Sequence, residues 1–168
     1  NVVNVNLFEI LESDIDEFSS VGAVYVAGDL NGRVGRKPDY ISFDANINGL
    51  NSADYTPDVP SSRASDDQTL NTQGVQILDL CKSTGLRVCN GRYNNCKTGA
   101  FTFVGNNGCS VIDYLLTREC DFDRLTLFGI REFNEFSDHA PLQFAFKTYS
   151  DLNTNIEHER EATFIRWD

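Results

Sequence analysis

The sequence predicts an α/β sandwich built on a mixed sheet, with helices on one face. Three observations lead there. The patterns run in the order helix, strand, long loop, helix, then several strands. Hydrophobic residues make up 40% of the 168 positions and charged residues 23%, an ordinary globular mix with apolar material for one core. No apolar run is long enough to cross a bilayer. A chain of this length fits one domain, or part of a larger one.

The first element is an amphipathic helix over 6–19, where Leu7, Leu11, Ile15 and Phe18 recur at helical spacing. Glu9, Glu12, Asp14, Asp16 and Glu17 fill other positions and read as a solvated face rather than a metal site. After Gly22, the apolar run 23–27 fits a buried strand that stops at Gly28-Asp29-Leu30-Asn31-Gly32. Residues 32–68 carry Gly, Pro, Asn, Asp and Ser without periodicity and read as a long loop. Helical spacing returns over 71–84 through Gly74, Ile77, Leu78 and Cys81, with Asn71 as N-cap and Gly85 as stop. Strand signals follow at 86–89, 100–103, 110–116, 125–129 and 142–147, most of them separated by short connections rich in Gly and Asn. The polar stretch 148–168 reads as a tail or linker, which leaves 1–147 as the domain portion. One sheet with helices on one face leaves its second face short of cover.

Charge and cysteine narrow the function. With 14 Lys+Arg against 25 Asp+Glu, the net charge is -11. That excludes the simplest nucleic-acid binder, a basic surface that neutralises phosphates. It does not exclude an enzyme that meets phosphates through a bound cation. Cys81, Cys89, Cys96, Cys109 and Cys120 form no C-x-x-C pair, which speaks against a zinc module. Their odd number speaks against a disulfide framework, so reduced thiols in an intracellular protein are expected. The start Asn1-Val2-Val3, without Met, reads as cut from something longer, so missing targeting signals carry little weight.

Three polar clusters stand at strand ends: Gly28-Asp29-Leu30-Asn31, Ser110-Val111-Ile112-Asp113-Tyr114 and Ser137-Asp138-His139-Ala140-Pro141. Side chains leaving strand ends can converge on one crevice. Asp29 alone fits a turn former as well as a catalyst. Asp113 lies in an apolar run, where a carboxylate is costly unless paired or bound to metal. His139 could cap a turn, but beside Asp138 it joins a metal-seeking carboxylate to a group that titrates near neutral pH. His158, among Glu157, Glu159 and Glu161, reads as surface.

Together, G-D-L-N, S-x-I-D-Y and S-D-H-x-P-L resemble the endonuclease/exonuclease/phosphatase superfamily, which includes deoxyribonuclease I-like and AP-endonuclease-like enzymes. A narrower resemblance is to the endonuclease domains of non-LTR retrotransposons and their host relatives. The 7–20 helix, residues 27–35, Asn71 to Gly74, Asn90-Gly91-Arg92 and Phe101-Thr102-Phe103 support it. The resemblance implies a four-layer αββα sandwich, with half or more of it in this chain and a mixed, mainly antiparallel sheet. It implies hydrolysis of phosphodiester or phosphomonoester bonds with Mg²⁺ or Mn²⁺.

Carried over to this chain, the resemblance makes Asp29 orient or deprotonate the attacking water. Asn31 would hydrogen-bond the scissile phosphate. Asp29 and Asp138 would belong to the metal shell. His139 would stabilise charge on the phosphoryl oxygens, with Asp113 holding its Nδ1. Arg33, Thr102 and Ser110 would join Asn31 in binding substrate. Arg33, Arg36, Lys37 and Arg63 fit phosphate contacts or solvated loop charge equally well.

The resemblance also sets a departure. The superfamily draws an early Asn, a metal-binding Glu and usually a Tyr or His from its N-terminal half, and nothing before the 7–20 helix supplies them. Glu9 and Glu12 sit on the helix before G-D-L-N and do not replace that Glu. The expectation is therefore the C-terminal portion of such a domain, weak or inactive alone, with an exposed sheet face that invites the missing half or self-association. DNA is the expected substrate, and no membrane partner is expected. An inositol-lipid or other small phosphate ester, or a non-catalytic interaction module, are the alternatives. The expected location is intracellular, the nucleus included.

Overall fold

The computed structural model describes residues 6–41, 61–93 and 97–148. The expected tail at 148–168, His158 and Cys96 thus lie almost wholly outside the described residues, Thr148 excepted.

Helix α1 spans Leu7–Ser19, and the Asn6 side chain caps it by accepting from the Phe8 amide. Its buried stripe is Phe8, Leu11 and Ile15, while Leu7 and Phe18 are 75% and 57% exposed. The expected stripe is thus rotated toward Phe8, because packing against the second helix and the shared core selects the buried side. Helix α2 spans Thr72–Thr84 and buries Gly74, Ile77, Leu78, Leu80 and Cys81. Asn71 caps it, and Gly85 ends it at φ 74°, a left-handed turn that suits glycine. Burial pushes the Cys81 thiol up to about 12, which keeps it unreactive.

The central sheet has the order β1-β5-β2, with β1 at Tyr25–Asp29, β2 at Leu86–Val88 and β5 at Asp113–Arg118. β3 (Phe103–Gly105) and β4 (Gly108–Ser110) form a hairpin. A 3₁₀ turn over Glu119–Arg124, not expected from sequence, leads into β6 (Leu125–Ile130), which pairs with β7 (Leu142–Phe146). Every pairing between these strands is antiparallel among the described residues, in keeping with the mainly antiparallel sheet expected from sequence.

Side chains alternate across β5, and the alternation divides the molecule. Tyr114 and Leu116 face α1 and α2, together with Val26, Leu86 and Val88. Leu115 faces the other way, where Tyr25, Leu125, Phe128, Leu142 and Phe144 gather from β1 and the β6–β7 hairpin. The second face is therefore partly covered, by the hairpin rather than by helices. Tyr25 and Phe146 stack at 4.6 Å between ring centres. Among the described residues, no helix is long and apolar enough to cross a membrane.

Candidate active site

The first corner forms where β1 ends. The strand runs two residues beyond the run read from sequence, because Asp29 pairs in register with Asp113 of β5. The Leu30 amide donates to the Ile112 carbonyl at 3.0 Å and ends the pairing. Asn31 then takes φ 50°, and its amide donates to Asp29 Oδ1 at 2.7 Å. Asn tolerates this left-handed backbone better than most residues. Asp29 therefore does form a turn, and both side chains are exposed.

The second corner is Asp113, 8% exposed. Sequence reads 110–116 as one strand, but β4 ends at Ser110 and β5 begins at Asp113. The intervening amides are satisfied by side chains. Ile112 and Asp113 both donate to Thr102 Oγ1, each at 3.0 Å. The Val111 amide donates to Asp67 Oδ2 at 3.1 Å. From the far side, Asn90 Nδ2 donates to the Asp113 carbonyl at 3.0 Å. Tyr114 joins the first two corners, since its buried hydroxyl lies 2.8 Å from the Gly32 carbonyl and 2.5 Å from that of Val111. Burial pushes its pKa well above the ordinary range, so it stays a neutral donor.

The third corner is Ser137-Asp138-His139. The His139 amide donates to Ser137 Oγ at 3.1 Å. Strand β3 and the residue before it splint it: Val104 donates to the Asp138 carbonyl at 2.9 Å, and Ala140 donates to the Thr102 carbonyl at 2.8 Å. The Phe103 ring lies 4.9 Å from the His139 ring. The Asp113 carboxylate meets His139 Nδ1 at 3.1 and 3.0 Å. A carboxylate at Nδ1 fixes the tautomer and leaves Nε2 for a ligand. Asp113 and His139, with Gly28, Ser137, Phe136 and Phe144, line an open and mostly apolar cleft of about 610 Å³.

Asp29 and Asp113 are directly opposed in an antiparallel pair, so they project from the same face with Cα atoms about 4.5–5.5 Å apart. The structure thus brings Asp113 and His139 together and sets Asp29 beside them. Asp138 is exposed next to His139. Other expected contacts sit elsewhere. Thr102 is fully buried and Ser110 is 9% exposed, so they support the site from below rather than line it. Arg33 is held by Asp67 through two 2.7 Å bonds. Arg36 Nε donates to the Ser65 carbonyl at 3.0 Å, and Arg63 donates to the Lys37 carbonyl at 3.1 Å. Lys37 is exposed. Sequence reading did not single out Asp67 as a site residue. Its only outward signal is an acid in a loop, and its partners Arg33 and Val111 lie 34 and 44 positions away.

Among the described residues, no group of three or more His, Cys, Asp or Glu is placed to hold a metal ion. Mg²⁺, however, keeps several waters and takes one or two carboxylates plus substrate phosphate. Asp29 and Asp138 are both exposed carboxylates, the hard oxygen type that such an ion takes.

No known protein-family profile matches the sequence, and comparison with curated proteins finds no similar one. Among solved structures, the chain is similar to a 3′ phosphatase, NExo, from Neisseria, determined with a product DNA hairpin. The TM-score is 0.48 at 16% identity, over 84% of this chain and 52% of that one. The chain thus spans about half the length of that structure.

Proposed function

We propose that this chain is the C-terminal portion of an endonuclease/exonuclease/phosphatase domain that cleaves phosphodiester bonds in DNA, of the non-LTR retroelement type. The observation that carries this reading is the Asp113–His139 pair, closed at 3.0 Å in a cleft with Asp29 directly across the strand pair. The motif resemblance supplies the reaction; the geometry supports the roles.

Phosphoryl transfer asks a protein mainly for positioning and charge compensation. Asp29 is an exposed carboxylate on a rigid strand end, able to orient a water or take its proton. Asn31, displayed by the left-handed turn, offers an amide to a phosphate oxygen. His139, held at Nδ1, presents Nε2 to the charge that grows on the phosphoryl oxygens. Asp113 holds the imidazole ring in place through Nδ1. Asp138 and Asp29 are the carboxylates for Mg²⁺ or Mn²⁺. When bound, such an ion supplies positive charge that an acidic chain with its loop arginines already paired does not. The early Asn and metal-binding Glu of the superfamily belong, in this reading, to a preceding half, so the chain alone is a slow catalyst.

The test is nicking of supercoiled plasmid with Mg²⁺, by the chain alone and by a polypeptide extended toward the N-terminus. Nicking that rises with the extension and falls with Asp29→Ala supports the reading. An Asp29→Ala protein that nicks as fast as wild type ends it. A soluble inositol phosphate assayed in parallel separates a phosphatase from a nuclease.

A further inference from the structure

One buried carboxylate ties the first two corners together. Asp67 is 3% exposed. Its Oδ1 accepts from Arg33 NH2 at 2.7 Å and from the Thr69 amide at 3.0 Å. Its Oδ2 accepts from Arg33 Nε at 2.7 Å and from the Val111 amide at 3.1 Å. Arg33 stands two residues past Asn31, and Val111 two residues before Asp113. Asp67 is therefore a bridge from the turn that displays Asn31 to the segment that delivers Asp113.

The bridge is anchored from outside. Asn71 Oδ1 accepts from the Arg33 amide at 2.9 Å and from the Gly74 amide at 2.8 Å. The Asn71 amide returns a bond to the Arg33 carbonyl at 3.1 Å. A Cβ on Gly74 would meet that same carbonyl oxygen at 1.9 Å, so α2 seats its first turn directly on the bridge. A bidentate arginine–carboxylate pair adds geometric definition as well as energy. A loose contact at either end would let the two corners drift, and misplacement near 1 Å costs a catalyst heavily.

We infer that Asp67 is a positioning residue, which acts through Arg33 and the Val111 amide to fix Asn31 and Asp113 relative to each other. Its kinetic consequence rests on the phosphodiesterase reading; its effect on the two corners does not. The inference also reassigns Arg33. With Nε and one NH2 committed to Asp67, it serves the corner's geometry rather than gripping a phosphate.

The experiment uses the full chain, ¹⁵N-labelled, as wild type, Asp67→Asn, Arg33→Gln, the double variant and Asp67→Glu. Asp121→Asn serves as a control, because Asp121 is also buried and arginine-paired but lies at the far end of β5. Amide resonances of Asn31 and Asp113 and the Nδ1 proton of His139 report geometry, and plasmid nicking reports rate. Asp67→Asn and Arg33→Gln should each move the Asn31 and Asp113 resonances together and lower kcat roughly tenfold to a hundredfold with KM unchanged. The double variant should be no worse than either single one. Asp67→Glu should recover part of the rate, and Asp121→Asn should leave these signals in place.

The inference is overturned if either variant leaves the Asn31 and Asp113 resonances where they are, or if Arg33→Gln raises KM with kcat intact, as a phosphate contact would. If Asp67→Asn does not fold, Arg33→Gln and Asp67→Glu decide by the same criteria. If neither the chain nor its N-terminally extended form nicks DNA, the function reading falls and the resonances alone judge Asp67.

Discussion

The two faces of the central sheet are finished differently. Toward α1 and α2, Tyr114, Leu116, Leu86 and Val88 are all 0% exposed. Toward the hairpin, Leu115 and Phe128 are fully buried, but Phe144 is half-buried, and Phe146 and Phe136 are 43% and 78% exposed. Asp29, Asp113 and the cleft belong to this second face. Strands that alternate their side chains can give one face to stability and leave polar groups on the other within reach. The helix face holds the platform, and the partly covered face carries the cleft with Asp113 and His139.

That division can be broken in order of expected effect. Asp113→Asn should leave the helix face intact yet cut nicking by about 10³-fold or more, since it removes the partner that fixes His139. Circular dichroism beside a plasmid assay checks both halves of that statement. On the opposite face, Leu116→Ala should cost about 2–5 kcal/mol of stability, measured by denaturant unfolding. Phe144→Ala should cost less, because its side chain is already partly solvated. Tyr114→Phe leaves the Gly32 and Val111 carbonyls without their shared donor and should cost about 1–3 kcal/mol.

Acid should probe the two buried, arginine-paired carboxylates Asp39 and Asp67. Burial alone would raise Asp39, but Arg92 and the Val88 amide outweigh it and hold the carboxyl below its ordinary 3.8. Burial likewise acts on Asp67, and its bonds to Arg33, Thr69 and Val111 outweigh it. A carboxyl lowered on folding stabilises above its unfolded value and loses that contribution as pH falls through the folded one. Stability should therefore decline below about pH 4. Asp39→Asn should be less stable at neutral pH and show a shallower acid limb in unfolding midpoints from pH 7 to 2. The smallest effect should be that of Phe136→Ala, an exposed rim residue whose loss should shift stability by no more than about 0.5 kcal/mol.

Sequence disclosed those parts of the fold whose causes are local. Helix α2 is marked by an Asn71 cap and a Gly85 stop, both of which act within a turn. Strand β1 was displaced by two residues because its end is decided by Asp113, more than eighty positions away. The 110–116 run concealed a break, since Thr102 and Asp67 take the amides that a strand would otherwise pair. Similarly, 100–103 gave way to Phe103–Gly105, whose partner is β4. The candidate site was legible as three strand-end motifs. Its supports were not, because buried acceptors such as Thr102 and Asp67 carry no local pattern, and because a loop arginine does not reveal its partner.

The central claim is that Asp29, Asp113 and His139 work as one phosphodiesterase site. Plasmid nicking with Mg²⁺ by the N-terminally extended polypeptide, as wild type and as His139→Ala, tests it most directly. The account expects nicking by wild type and a loss of at least about 10³-fold in the folded variant. A folded His139→Ala protein that nicks at the wild-type rate would contradict it.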